Sequence, residues 1–127
     1  MKNTEYELFN KLSNEWWDEE GKFKVLHQIK PIRLDYIIKQ FKKNDLISLN
    51  VLDVGCGGGL ISEPLSRLGC KVTAIDFIEK NVEIAKERAL LKKLKINYIC
   101  GNVENIDFKN KFDLIIMFEI LEHLEDW

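Results

Sequence analysis

The sequence predicts an α/β fold: a parallel β-sheet with helices on both faces. Three observations predict it. From residue 49 onward, short apolar runs alternate with helical patterns of about a dozen residues, the spacing that joins parallel strands through right-handed crossovers. A glycine cluster, Gly55-Cys56-Gly57-Gly58-Gly59, stands directly after the first apolar run. Residues 112–118 are almost continuously apolar, as a strand covered on both faces must be.

Composition bounds the class. The chain has 127 residues, 46% hydrophobic and 31% charged. That mixture excludes a disordered tail, a collagen-like fibre and a disulfide-stapled miniprotein. A chain of this length buries roughly two-thirds of its unfolded surface. The net charge of −2 gives no long-range pull toward nucleic acid, so no nucleic-acid partner is expected. Cys56, Cys70 and Cys100 have neither disulfide nor metal-ligand spacing, which reads as reduced thiols in the cytoplasm. Residues 1–7 lack the apolar core of a signal peptide, and the run 114–118 is far too short to cross a bilayer. A cytoplasmic protein is predicted, with peripheral contact at the inner face of the cytoplasmic membrane left open.

Residues 1–48 read as a helical extension acting as a substrate and cofactor lid. Phe9, Leu12 and Trp16 recur on one helical face, which predicts Trp16 in the core. Trp17 falls off that stripe beside Asp18-Glu19-Glu20 and reads as a lid residue, while His27 reads as structural. Gly21 interrupts. Pro31 suits the first turn of a second helix running through Ile32, Leu34, Tyr36, Ile37 and Phe41, with an exit at Asn44-Asp45. Residues 49–127 form the sheet domain. Strands are predicted at 49–54, 71–76, 96–100 and 112–118, and helices at 60–68 and 80–93. Gly69 is a C-cap for the first helix, and Lys92 and Lys93 meet the negative pole of the second.

Ligands of such sheets sit beyond the carboxyl ends of the strands. Gly55, Gly57 and Gly59 let the backbone turn and approach a ligand there. Twenty-one positions after Gly55 stands Asp76, whose carboxylate can accept hydrogen bonds from both ribose hydroxyls of an adenosine group, or can cap the following helix. A dinucleotide loop would carry glycine or alanine where Leu60 stands. No basic residue lies in the loop to meet phosphate, and Asp53 and Glu63 flank it. A phosphate-free cofactor bearing a sulfonium, S-adenosylmethionine, suits this loop better than a dinucleotide, and an oxidoreductase is disfavoured accordingly.

With these residues in view the chain resembles the class I S-adenosylmethionine-dependent methyltransferases, and more narrowly the bacterial ubiquinone-biosynthesis O-methyltransferase family. The carrying segments are Phe9-Asn10-Lys11-Leu12-Ser13-Asn14-Glu15-Trp16-Trp17-Asp18, Gly21-Lys22-Phe23-Lys24 with Leu26-His27, Pro31-Ile32-Arg33-Leu34, Val51 through Gly59, and Glu119-Ile120-Leu121-Glu122-His123. The glycine motif alone would mark only the superfamily; the double tryptophan and the Pro-x-Arg-Leu segment are far more specific. The resemblance implies a Rossmann-like class I methyltransferase fold and methylation of a phenolic oxygen on a polyprenylated ring, a polyprenyl phenol or quinol. It also implies a place in a ubiquinone-biosynthesis complex. The competing functional reading is a truncated or non-catalytic S-adenosylmethionine-binding module.

Family cofactor contacts carry over to Arg33, Gly55, Asp76 and Phe118, the last standing where a better-known relative has Met. Arg33 would pair with the methionine carboxylate, against the alternative of a surface ion pair. Gly57 belongs to the same loop. Phe77 and Ile78 would wall the adenine, and Asn102 and Val103 would meet its edge. Glu119, Glu122 and His123 form E-x-x-E-H, one helical face by spacing. They suit a magnesium ion, as the resemblance also implies, or His123 as general base beside Glu119, or a plain acidic helix start. Class I methyltransferases usually build seven strands and this sequence shows four, so the chain is expected to lack its C-terminal strands. Its fourth strand would then be an edge prone to self-association.

Overall fold

In the computed structural model, residues 15–21, 23–105 and 112–118 are described. Strand β1 (Asn50–Val54) carries Val51, Leu52 and Val54, and all but its first residue are buried, as a strand flanked on both edges requires. It pairs in parallel with β2 (Lys71–Asp76) and, on its other edge, with β4 (Leu114–Ile116). Strand β3 (Ile96–Cys100) pairs with β2, giving the order β3-β2-β1-β4. The register places Val54 beside Ile75 and Asp76 beside Cys100, so the strands' carboxyl ends lie level.

Three α-helices are described: α1 (Lys24–Lys39), α2 (Ser62–Arg67) and α3 (Glu79–Lys92). Helix α2 connects β1 to β2, and α3 connects β2 to β3. Val51, Val72, Ala74, Tyr98 and Ile116 of the sheet form one cluster with Ile37 of α1, Leu65 of α2, and Val82, Ala85 and Ala89 of α3. On the opposite face Leu52, Val54 and Ile75 pack with Ile99, Val103 and Phe112. This two-sided burial follows from the alternation of side chains along each strand. Gly69 follows the end of α2 at φ 100°, and Lys93 ends α3 at φ 58°, both left-handed stops.

Two expectations are corrected. Pro31 lies inside α1, not in its first turn. The helix starts earlier because Lys24 N–H donates to Gly21 O and His27 N–H to Phe23 O, while the buried Phe23 ring stacks on Trp16 with centroids 3.8 Å apart. The missing proline N–H simply leaves one helical bond unmade. The fourth strand has three residues where seven were expected. Asp113 N–H donates to Asn50 O (2.8 Å) and Asn50 N–H to the Asp113 carboxylate (2.9 Å), so its pairing starts only there. Among the described residues β4 is an edge, and Ile115 on it is exposed.

Helices α2 and α3 are tied by charge. The Glu63 side chain is fully buried and accepts from Arg88 Nε at 2.9 Å and from Arg67 at 3.3 Å. Removing one partner of a buried pair leaves an uncompensated charge. Arg88→Ala should therefore lower unfolding free energy by about 3 kcal/mol. Arg67→Ala, whose side chain is half exposed, should cost under ~1 kcal/mol. Denaturant midpoints check both, and equal losses would contradict the assignment.

Candidate functional site

The glycine loop leaves β1 and is stitched at once to the neighbouring strand: Gly55 N–H and Cys56 N–H both donate to Ile75 O, at 2.8 and 3.0 Å. Asp76, buried at the end of β2, then holds the loop by its side chain. Its Oδ2 accepts from Gly57 N–H at 2.9 Å. Its Oδ1 accepts from Ile78 N–H at 2.9 Å and from Asn81 Nδ2 at 3.3 Å. The carboxylate thus steers the entry to α3 and braces the loop at the same time.

Beside it opens a cleft lined by Gly55, Asp76, Phe77, Asn102 and Val103, with Val54 and Ile75 at its base. Four of the predicted cofactor contacts, Gly55, Asp76, Phe77 and Val103, therefore share one cleft, with Gly57 bonded to its acid. The Asn102 side chain closes a local turn, accepting from Glu104 N–H at 2.9 Å. Two further predicted contacts meet each other: the Arg33 guanidinium lies 4.6 Å from the centre of the Phe118 ring, a cation–π contact. Ile78 is buried as the residue preceding α3. Glu119, Glu122 and His123 lie outside the described residues, as do Phe9 and Leu12. Among the described residues no group of three His, Cys, Asp or Glu side chains could hold a metal ion.

Trp16 is a correction. It is half-buried and lies outside the core cluster. It lies on the glycine loop, so close that a Cβ on Gly57 or Gly58 would come within 2.5 or 2.6 Å of its side chain. Its Nε1–H donates to Asn81 Oδ1 at 2.7 Å. Asp18 N–H donates to Glu15 O at 3.0 Å, closing a turn that carries both tryptophans. Trp17 joins it on the loop, donating Nε1–H to Gly58 O at 2.8 Å, with the Arg88 guanidinium 3.5 Å over its ring. His27 Nε2–H donates to Trp16 O at 2.8 Å, a structural role, as expected.

Sequence reasoning missed Asn81, Ser62 and the Glu63–Arg88 pair. Asn81 carries one legible signal, its place in the first turn after an acidic strand end. Glu63 and Arg88 stand 25 positions apart and carry none. Burial pushes the Asp53 carboxyl up to about 7, partly countered by the Ser62 hydroxyl donating at 2.6 Å and reinforced by the Asp76 charge. The buried Cys56 thiol is held up by the same burial and by both carboxylates.

A family model described as a methyltransferase domain matches residues 52–127. The chain is 48% identical over 130 residues to the ubiquinone biosynthesis O-methyltransferase of Pelagibacter ubique, covering 96% of this chain and 54% of that protein. It is 41% identical over 128 residues to the protein of the same name from Rickettsia bellii, covering 99% and 53%. It spans about half the length of the curated relatives it matches. Among solved structures, an S-adenosylmethionine-dependent methyltransferase from Clostridium acetobutylicum superposes with a TM-score of 0.56 at 25% identity, over 87% of this chain and 42% of that one.

Asp53 generates a pH prediction. Its folded pKa of about 7 exceeds the ordinary 3.8, so between these values the folded state holds more proton than the unfolded one. The stabilisation is full below pH 4 and is lost as pH rises through 7, with a slope of up to ~1.4 kcal/mol per pH unit. Asp53→Asn should flatten that slope in urea unfolding at pH 5 and pH 7.5; matching slopes in both proteins would refute the assignment.

Proposed function

This chain belongs to the methyltransferase-domain family, and from that premise we propose that it binds S-adenosylmethionine at the glycine loop and directs methyl transfer to a phenolic oxygen. The acceptor would be a polyprenylated ring of ubiquinone biosynthesis, the process named for its relatives from Pelagibacter ubique and Rickettsia bellii. One observation carries the cofactor reading. The Asp76 carboxylate, in hydrogen-bond contact with the Gly57 N–H, faces a cleft walled by Phe77 and Val103.

The residues present fit that cofactor. The segment from Gly55 to Ile61 holds no Lys or Arg to neutralise a pyrophosphate, and the Asp76 carboxylate is buried against it, with the partly neutral Asp53 carboxyl beside it. Such a surround suits a cation and opposes a polyanion. S-adenosylmethionine supplies a sulfonium-bound methyl group already activated for displacement. The chain's task is to position and to exclude water. Asp76 accepts from the ribose hydroxyls, and Phe77 and Val103 present apolar surface to the adenine. Arg33, its guanidinium stacked on Phe118, offers its fork to the methionine carboxylate.

The acceptor's proton must leave for its oxygen to attack. His123 is the proposed base, with Glu119 of the same E-x-x-E-H segment named with it by spacing. Magnesium held by Glu119, Glu122 and His123 is the finer proposal and rests on the family resemblance alone. A hydrophobic tail on the substrate would bring the protein to the inner membrane face or into a biosynthetic complex, and the β4 edge offers a surface for self-association.

S-adenosylhomocysteine should raise the melting temperature while NAD does not; the reverse result would end the reading. Asp76→Ala should weaken S-adenosylhomocysteine at least about tenfold, since each hydrogen bond to a charged group contributes about 1.5–3 kcal/mol. If calorimetry gives an unchanged affinity, Asp76 does not hold the ribose. For the metal, a chelator should depress methylation of a polyprenyl catechol and magnesium should restore it; indifference to chelator leaves His123 as a lone base.

A further inference from the structure

Asn81 is the third residue of α3 and is almost wholly buried, 2% exposed. Its amide joins two groups far apart in the chain. Nδ2 donates to Asp76 Oδ1 at 3.3 Å, and Oδ1 accepts from Trp16 Nε1 at 2.7 Å, across 65 positions. The chemistry fixes which end is which. A carboxylate only accepts and an indole N–H only donates, so the amide can satisfy both partners in one orientation.

The chain of contacts closes on itself. Asp76 Oδ2 accepts from Gly57 N–H, and the Trp16 indole lies flat against Gly57 and Gly58. Trp16 is itself fixed from behind, by the Phe23 ring stacked at 3.8 Å with planes 6° apart, and through its carbonyl by His27. Trp17, donating to Gly58 O, adds a second attachment of the same segment to the loop.

We infer that Asn81 is a positioning residue of the cofactor site: with Trp16 as its partner it holds the Asp76 carboxylate and clasps the glycine loop from the N-terminal side. The inference rests on the proposed cofactor reading and extends it to residues that touch the acid, not the ligand. A carboxylate that must meet two ribose hydroxyls binds more tightly when its rotation is already arrested. The Asn81 amide arrests it, and the bond to a charged acceptor is the stronger kind. Trp16 in turn keeps the amide from turning.

The test measures S-adenosylhomocysteine affinity by calorimetry in the full chain, with unfolding midpoints alongside. Asn81→Ala should raise the dissociation constant fivefold or more. Trp16→Phe removes the N–H together with part of the indole and leaves an aromatic ring to stack on Phe23, which the unfolding midpoint monitors; it should raise the constant about threefold. Because both act through one circuit, the double variant should bind within twofold of Asn81→Ala alone. Two outcomes overturn the inference: single variants that bind as the parent does while melting lower, which would make the circuit merely structural, or losses that multiply in the double variant. A parent chain that binds no S-adenosylhomocysteine would instead remove the cofactor reading, and this inference with it. A parent that binds beside unaffected variants would remove only the role of Asn81.

Discussion

The Asp76 carboxylate is where three separately built parts of the chain are held to one another. Through Oδ2 it takes the loop that leaves β1, through Oδ1 the start of α3, and through its own main-chain carbonyl the N–H of Gly101 beyond β3. A parallel sheet makes this possible, because level strand ends bring three successive connections to one rim. Burying a carboxylate is costly unless hydrogen bonds replace its water, and here the donors are the Gly57 and Ile78 backbone N–H groups and the Asn81 amide. The same bonds that make the acid tolerable define the shape of the cleft.

Around this acid the charges divide into two kinds. Glu63 is buried completely, yet two arginines reach it, and it serves as a strut between α2 and α3. Burial raises the Asp53 pKa to about 7, with the Ser62 hydroxyl opposing and the Asp76 charge adding to the rise. The contrast explains why Glu63 contributes rigidity while Asp53 is held close to neutral behind the loop. A buried Asp76 carboxylate behind a loop that lacks Lys and Arg disfavours a polyanion and suits a cation. This is the physical content of the preference for a sulfonium over a pyrophosphate.

The strands were legible because β1, β2 and β3 are short, mostly apolar runs bounded by polar residues, and in β1 burial on both faces leaves few other readings. The glycine loop and Asp76 were legible for a different reason: their spacing is set by the length of one strand–helix–strand unit. What escaped was whatever depends on long-range approach. Trp16 has the period of a core-facing residue, but its bond to Asn81 and its stack on Phe23 hold it on the loop. Pro31 carries a helix-start signal that the Phe23–Trp16 stack overrides. The fourth strand was overestimated because apolarity continues past the three residues that pair with β1. The clasp through Asn81 was invisible, since an asparagine near a helix start is ordinarily read as a local cap.

The glycine motif itself changes meaning in this setting. Read as sequence, every glycine in it makes room for a ligand. In the structure they divide the work. Gly55 lines the cleft. Gly57 and Gly58 make room for the Trp16 indole, which a Cβ on either would strike. Gly59, at φ 93°, makes room for the buried Tyr98 hydroxyl, 2.4 Å from where its Cβ would stand. The loop is thus squeezed from the N-terminal segment on one side and from β3 on another. Its conformation follows from those two contacts and from Asp76 together. A loop held at three points needs little rearrangement when a ligand arrives, so the contacts that look like packing lower the entropic cost of binding.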